Sequence, residues 1–335
     1  MDKPMREFER GFELGRTRIV KGHGLYLRLP IAERLRAARG VPQAVVKVTG
    51  FGRGLKGVRD AMAYISRDGA LPLEKHTGDL IEGLEAQREL VNEWSIDFDG
   101  KRHSRDSAQI VFSMPPGSNV EALKAAVRAT GSKAFPDNEW VFGIHTDTKH
   151  PHAHLVVKMR GRENGKKLGL KKADLFKLRT LFAETAREQG VELAASPRAA
   201  RGVGRKAVRQ TIHQLKQKGI KPDVHKQTAR EALEEYQRND WKKKPWEMAM
   251  AERNKLEREA YRQDARTLRE EAEKCHEAHE RERLLKEAVE LERFSQTMRE
   301  PTTKRAAMKR WLYQESLKRQ REIERKNQRD SGLER

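Results

Sequence analysis

Residues 140–159, WVFGIHTDTKHPHAHLVVKM, constrain the fold more than any other stretch of the chain. Two strand-like runs, WVFGIHTD (140–147) and HAHLVVKM (152–159), flank the short turn Thr148–Pro151, a pattern that reads as a β-hairpin. Side chains alternate faces along a strand, so His152 and His154 point the same way, about 7 Å apart at roughly 3.3 Å per residue. His145 and Asp147 share a face for the same reason. Folding one strand against the other lets His145, His152 and His154 converge as three imidazoles, with Asp147 close enough to orient one of them. Three histidines with open positions are a catalytic metal pattern, whereas structural sites are usually closed by four ligands. A lone histidine on a strand is ordinarily a satisfied polar residue, but here four of the chain's 11 histidines fall within ten residues and three are in phase. His150 lies in the turn, where its face is not assignable; it reads as a loop residue and stands as a substitute ligand.

The surrounding sequence supplies the rest of a sheet. QAVVKV, from Gln43, is of strand type and leads into the glycine-rich basic loop GFGRGLKG. VRDAMAYIS then takes helical spacing, with Val58, Met62 and Ile65 on one side, and DGALP ends it. Residues 82–95 form a second helical stretch, and AQIVFSM (108–114) is a strand stopped by Pro115, Pro116 and Gly117. SNVEALKAAVRAT has Ser118 or Asn119 as a cap and Glu121 in its first turn, so it is a helix. Another helix, from about Lys171 to Gln189, closes the unit. The order β, α, α, β, α, β-turn-β, α describes an α+β fold: a mainly antiparallel central sheet flanked by helices.

Outside this unit the texture changes. Residues 1–41 read as a basic N-terminal arm, with a short helix over IAERLRAARG. The domain itself spans 42–202. Residues 203–335 form a long charged helical C-terminal extension, broken near Gly219–Pro222 and Pro245. Between Met248 and Met298 a narrow apolar stripe (Tyr261, Ala265, Leu268, Ala272, Cys275) fits one long exposed helix or a weak coiled coil. There is no internal repeat.

The formal charge of +21 must face something anionic, and nucleic acid leads. A membrane surface is the weaker choice, because no basic stretch carries a broad Leu, Phe or Trp face. The charge is concentrated: residues 151–230 hold 20 Lys and Arg against 6 Asp and Glu, while residues 51–100 hold 6 against 10. Hydrophobic residues make up only 36%, which suits a compact core with charged extensions. The single cysteine, Cys275, excludes an internal disulfide and a cysteine-rich zinc site. The opening residues have no signal-peptide core, and no apolar run approaches 18 residues. A cytoplasmic protein with no membrane insertion is expected.

Tyr64, in AYISRDG (63–69), is one of 5 tyrosines. By itself it reads as a core or rim residue; beside the basic loop and the histidine hairpin it reads as a nucleophile. AYISRDG, VFSMPPGS (111–118), HTDTKHPHAH (145–154) and SPRAARG (196–202) together make residues 43–202 resemble the relaxases of conjugative and mobilisable elements, specifically the MobA/VirD-type mobilisation nucleases. In one departure, Ala153 stands between His152 and His154 where a bulkier apolar residue is frequent. The resemblance implies Tyr64 as nucleophile, His145, His152 and His154 as ligands of a divalent ion, Asp147 as a partner supporting the ligands, and Ser113 near the scissile phosphate. It also implies a five-stranded antiparallel sheet with the histidine hairpin near its centre. Imidazoles suit Mn, Zn or Ni better than Mg; the resemblance implies Mg²⁺ or Mn²⁺, and Zn²⁺ stays open.

Relaxases cut by transesterification, forming a 5′-phosphotyrosyl linkage at a bacterial transfer origin. Only roughly one phenol in a thousand is ionised at pH 7, a cost of about 4 kcal/mol that a nearby cation and base reduce. Attack by a side chain keeps the phosphodiester energy in a covalent bond, so the strand can be rejoined. Single-stranded DNA is the expected partner, with Arg53, Lys56, Arg160, Arg162, Lys166, Lys167, Lys171 and Lys172 as backbone contacts and Trp140 as a core residue that could instead stack on a base. Relaxosome accessory proteins, a type IV secretion coupling protein and export with the transferred strand are further expectations for the extension. Two rivals remain. Rolling-circle initiators and single-strand transposases usually place their tyrosine after the histidines, the reverse of the order here. A non-catalytic nucleic-acid-binding protein with a structural metal would form no covalent adduct.

Overall fold

The computed structural model describes residues 18–20, 24–26, 29–101, 103–203 and 210–333. Most of the basic arm expected at the N-terminus, and residues 204–209, lie outside the described residues. The chain divides into two compact units, residues 32–197 and residues 198–335 together with 1–31.

The first unit is built on a six-stranded, wholly antiparallel sheet. In chain order its elements are helix α1 (Ile31–Ala38), strand β3 (Val45–Gly52), α2 (Gly54–Ile65), β4 (Leu73–Lys75), β5 (Leu80–Ile81), α3 (Gly83–Ser95), β6 (Ser107–Ser113), α4 (Val120–Ala134), β7 (Trp140–His145), β8 (His152–Lys158) and α5 (Lys172–Glu188). The numbering reserves β1 (Arg18–Val20) and β2 (Gly24–Tyr26) for a separate two-stranded ribbon. Strand order across the sheet is β3-β6-β8-β7-β4-β5, which puts the β7–β8 histidine hairpin at the centre. The sheet thus has six strands where about five were expected. The β4–β5 hairpin went unread because its strands are only LEK and LI, too short to show alternation.

Alternation along β6, β7 and β8 sends two sets of residues to opposite faces. On one face Ile110, Phe112, Phe142, Ala153, Leu155 and Val157 pack under α4 and α5, around Leu123, Val127 and Phe182. On the other, Val141 and Val156 pack under α2 and α3, around Val58, Met62, Ile65, Val91 and Trp94. His145, His152 and His154 belong to this second face. Asn119 caps α4 by accepting from the Glu121 backbone N–H at 2.8 Å. Trp140 is buried, its ring filling the space a side chain at Gly131 would occupy, so it is a core residue and offers no base-stacking surface.

Helix α1 is part of this unit. The Glu33 carboxylate accepts from the Ala195 backbone N–H at 2.6 Å and from Arg187 at 3.3 Å. Residues 42–44 and 194 exchange backbone hydrogen bonds, which fasten the end of the unit to the start of β3.

The described residues of the second unit from 210 onward form helices: α6 (Gln210–Gln217), α7 (Asp223–Gln237), α8 (Pro245–Lys274), α9 (Ala278–Thr297) and α10 (Lys304–Leu333). The stripe Tyr261, Ala265, Leu268 and Ala272 is buried, and it faces a matching stripe of Leu284, Ala288 and Leu291 on α9. The helix is interrupted between Lys274 and Ala278, so the stripe seals a helical hairpin within one chain instead of lining one continuous helix. Arg305, buried on α10, pairs with both Glu235 and Glu247, and Lys309 lies 2.8 Å from Glu235. Among the described residues no helix is long and apolar enough to cross a membrane.

Candidate active site

Pairing register assembles the histidines. His145 on β7 stands opposite His152 on β8, which stands opposite Ser113 on β6; His154 lies one step inward, between Gly143 and Val111. Directly opposed residues share a face, so the three imidazoles converge. Their ring centroids are 4.5 Å (His145–His154), 5.1 Å (His152–His154) and 5.4 Å (His145–His152) apart.

Hydrogen bonds fix which nitrogen of two of the rings is free. His145 Nε2–H donates to the Ile65 carbonyl at 2.9 Å, leaving Nδ1 buried with no partner. His152 Nδ1–H donates to the His150 carbonyl at 3.0 Å, leaving Nε2. One nitrogen from each of the three rings falls within a cluster no more than 4.8 Å across. Burial holds His154 down to about 4, helped by His145 and His152, and burial also lowers His145. Rings so disfavoured as cations keep their lone pairs at neutral pH. A buried, orphaned acceptor on one neutral imidazole, beside a second neutral ring and the free nitrogen of a third, is what a bound cation satisfies, so the donor set fits a divalent metal.

Helix α2 brings Tyr64 to this cluster. Its buried stripe is Val58, Ala61, Met62 and Ile65, which leaves Tyr64 off the core side, 57% exposed. The phenol ring meets His154 edge to face at 5.3 Å and His145 at 6.2 Å. Gly143 permits this approach: a Cβ there would sit 2.6 Å from the Ile65 carbonyl oxygen, the same atom that accepts from His145. The signal in the sequence was a glycine interrupting the strand WVFGIH, a mark of close backbone approach.

The end of α2 is unusual. Arg67 N–H bonds to the Tyr64 carbonyl and Asp68 N–H to the Ala63 carbonyl, the pair of bonds that makes a Schellman cap. The left-handed position of that cap normally holds glycine, but here Arg67 (φ 53) takes it, and Asp68 (φ 54) after it is left-handed as well. For Arg67 this costs about 1 kcal/mol or more, whereas aspartate tolerates the conformation better. Ser66 secures the turn, its hydroxyl donating to Gln87 at 2.9 Å and accepting from Gly69 N–H at 3.0 Å. The guanidinium of Arg67 is turned back over the phenol, 5.8 Å from its centroid, and pairs with Asp147. Asp147 therefore meets an arginine where an imidazole was expected; the partners of His145 and His152 are backbone carbonyls. His150 is exposed outside the cluster, with Nδ1 at 3.3 Å from the Met114 carbonyl.

The structure thus groups Tyr64, Asp147, Ser113 and the three histidines at one end of the sheet. The eight basic residues expected to hold DNA lie at the other. β8 runs from His152 to Lys158, about 20 Å at roughly 3.3 Å per residue, before Arg160 is reached. Arg53 and Lys56 begin α2, about 15 Å from Tyr64 at roughly 1.5 Å per residue. Lys56 pairs with Asp60 at 2.7 Å and Lys167 with Asp99 at 2.8 Å. Arg160 reaches the Gly165 carbonyl, and Arg162 reaches His76 and the Pro136 carbonyl. The Lys166 backbone N–H is held by Asn164. Lys171 and Lys172 begin α5, on the opposite face of the sheet. Nearer the histidines, strands β3 and β6 leave a strip of this face exposed or half-buried: Lys47, Thr49, Gln109, Val111 and Ser113. Lys47 stands opposite Val111, itself opposite His154, and is exposed with no ion-pair partner among the described residues. It was legible only as an alternating position in QAVVKV.

Residues 74–191 match the family profile described as "Relaxase: MobA/VirD2-like, nuclease domain". The chain is similar to proteins named "T-DNA border endonuclease VirD2". It is 26% identical over 183 residues to that of Rhizobium rhizogenes, covering 48% of this chain and 42% of the relative. That of Agrobacterium fabrum is also 26% identical over 183 residues, covering 48% and 41%. That of Rhizobium radiobacter is 24% identical over 193 residues, covering 51% and 46%. The chain therefore spans less than half the length of these curated relatives. A solved chain described as "Molecular Basis of Vancomycin Resistance Transfer in Staphylococcus aureus" overlays 46% of this chain and 99% of that one. It does so at 13% identity and a TM-score of 0.34, too low to carry an argument.

Proposed function

We propose, from the premise that the nuclease domain is one of the MobA/VirD2-like relaxases, that this chain nicks one strand of transfer-origin DNA and stays joined to it through Tyr64. The observation that carries the reading is the exposed phenol of Tyr64 lying against His145 and His154, two of three converging imidazoles and both held proton-poor by burial. In the step proposed, the phenol loses its proton, its oxygen bonds to phosphorus, and the bond from phosphorus to the 3′-oxygen breaks. The products are a 5′-phosphotyrosyl strand and a free 3′-hydroxyl, and the reverse reaction reseals the strand without an external energy source.

His145, through Nδ1, His152, through Nε2, and His154 would hold the divalent ion, Mn²⁺ or Mg²⁺. When bound, such an ion offsets charge on the nonbridging phosphate oxygens. Ile65 and His150 lend their carbonyls to fix the tautomers of two of these rings, which keeps the free nitrogens turned inward. Ser113, next to His152 in register, would face the phosphate. Single-stranded DNA would cross the open strip of β3 and β6, where Lys47 offers a cation, and continue toward Arg53, Lys56 and the basic loop from Arg160. Accessory proteins and a secretion coupling protein are the proposed partners of the helical unit, in a bacterial cytoplasm.

The test is a gel. Wild-type protein, Mn²⁺ and single-stranded origin DNA should give an adduct that survives SDS, and Tyr64→Phe should give none. An adduct that persists in Tyr64→Phe means the nucleophile is another residue. No adduct with any origin strand favours a non-catalytic binding protein.

A further inference from the structure

We propose that Arg67 binds the phosphate attacked by Tyr64, and that Asp147 is the positioning residue that holds the guanidinium beside the nucleophile until DNA arrives. This rests on the relaxase reading of the site.

Three observations point the same way. The first is position: the guanidinium is 5.8 Å from the centroid of the Tyr64 ring, and both Arg67 and Asp147 are within electrostatic reach of His145 and His154. The second is backbone strain. Arg67 and Asp68 occupy left-handed conformations at a helix end where glycine is the unstrained choice. The third is exposure. The Arg67 and Asp147 side chains are 40% and 55% exposed, and ion pairs this open add little to stability. The pair is thus too weak to account for the turn as a stabilising device, whereas strain held at a reactive centre fits a functional one. The exchange is chemically natural, because a guanidinium that forks onto a carboxylate forks equally well onto a phosphate.

In the step itself, the Tyr64 Oη–P bond forms and the P–O3′ bond breaks. The phenolic proton is released to solvent, and the departing 3′-oxygen takes up a proton from solvent. Arg67 keeps all its protons. Its contribution is a fixed positive charge and N–H donors aimed at the nonbridging oxygens as their charge grows.

The experiment compares the full chain with Arg67→Gly, Arg67→Lys, Asp147→Asn and the Arg67→Gly/Asp147→Asn double variant. Each is given Mn²⁺ and single-stranded oligonucleotides tiling the DNA that flanks its gene. Arg67→Gly should melt at or above the wild-type temperature, since glycine relieves the turn, and should titrate Mn²⁺ like wild type. Its rate of adduct formation at saturating oligonucleotide should nonetheless fall roughly 100-fold. Arg67→Lys should recover part of that loss. Asp147→Asn should slow the reaction about tenfold by itself and not at all in the Arg67→Gly background. The proposal is overturned if Arg67→Gly reacts within about threefold of wild type, if its loss tracks weaker Mn²⁺ binding, or if Asp147→Asn slows the Arg67→Gly protein further. A wild-type chain that forms no adduct sinks the relaxase reading and this proposal with it, an outcome decided without any Arg67 variant.

Discussion

At the residue scale, the proposed function separates the histidines that would hold a metal from the groups that would place Tyr64. His152→Ala should reduce Mn²⁺ affinity by more than the roughly 10–100-fold that losing a supporting partner costs, and abolish nicking, yet keep most DNA affinity. Calorimetric titration of metal and fluorescence anisotropy of labelled oligonucleotide read the two separately; equal losses would contradict the division. Gly143→Ala should leave the sheet intact but push away the Ile65 carbonyl, and with it both the tautomer of His145 and the seat of Tyr64. A displacement near 1 Å costs about 100-fold in rate, so single-turnover adduct formation should fall on that order. A wild-type rate in Gly143→Ala would mean the close approach is incidental. The histidines were legible because a spacing of two along a strand dictates a shared face. Arg67 was not, and Gly143 showed only as a glycine inside a strand, because their roles depend on a helix end meeting a strand far away in sequence.

At the element scale, α5 carries a testable electrostatic cost. Burial raises the carboxyl of Glu184 above its ordinary range, against the pull of Arg187. A carboxyl whose folded value is raised favours folding below the unfolded value, near pH 4.3, and that advantage is lost as pH rises through the folded value. Glu184→Gln should therefore melt higher than wild type at pH 7, with the gap closing as pH falls toward 4. A gap that is constant with pH would rule out ionisation as the cause. The helices and long strands of this unit were legible from period and caps, as with Asn119 and Glu121 on α4. The β4–β5 hairpin was not: its two- and three-residue strands exist because β7 offers them a partner edge. The stripe at Tyr261, Ala265 and Leu268 was legible as a stripe, but the facing residues on α9 that make it one half of a hairpin were not.

At the scale of the whole chain, the +21 charge predicts DNA binding that weakens steeply with salt through counterion release. An anisotropy series from about 50 to 200 mM salt should show affinity falling by at least tenfold; a flat response would argue against a phosphate-tracking surface. The charge pattern pointed to a polyanion as the partner to test, and the alternation of WVFGIH and HAHLVVK pointed to a hairpin carrying in-phase histidines. Both follow from local rules, since charge adds along a chain and side chains alternate along a strand. Tertiary structure decided the rest. It set which end of the sheet the basic residues occupy, it brought the phenol of Tyr64 to the imidazoles, and it paired Asp147 with an arginine. Contacts between residues some 80 positions apart are fixed by how helices pack on a sheet, and no local period in a sequence encodes that.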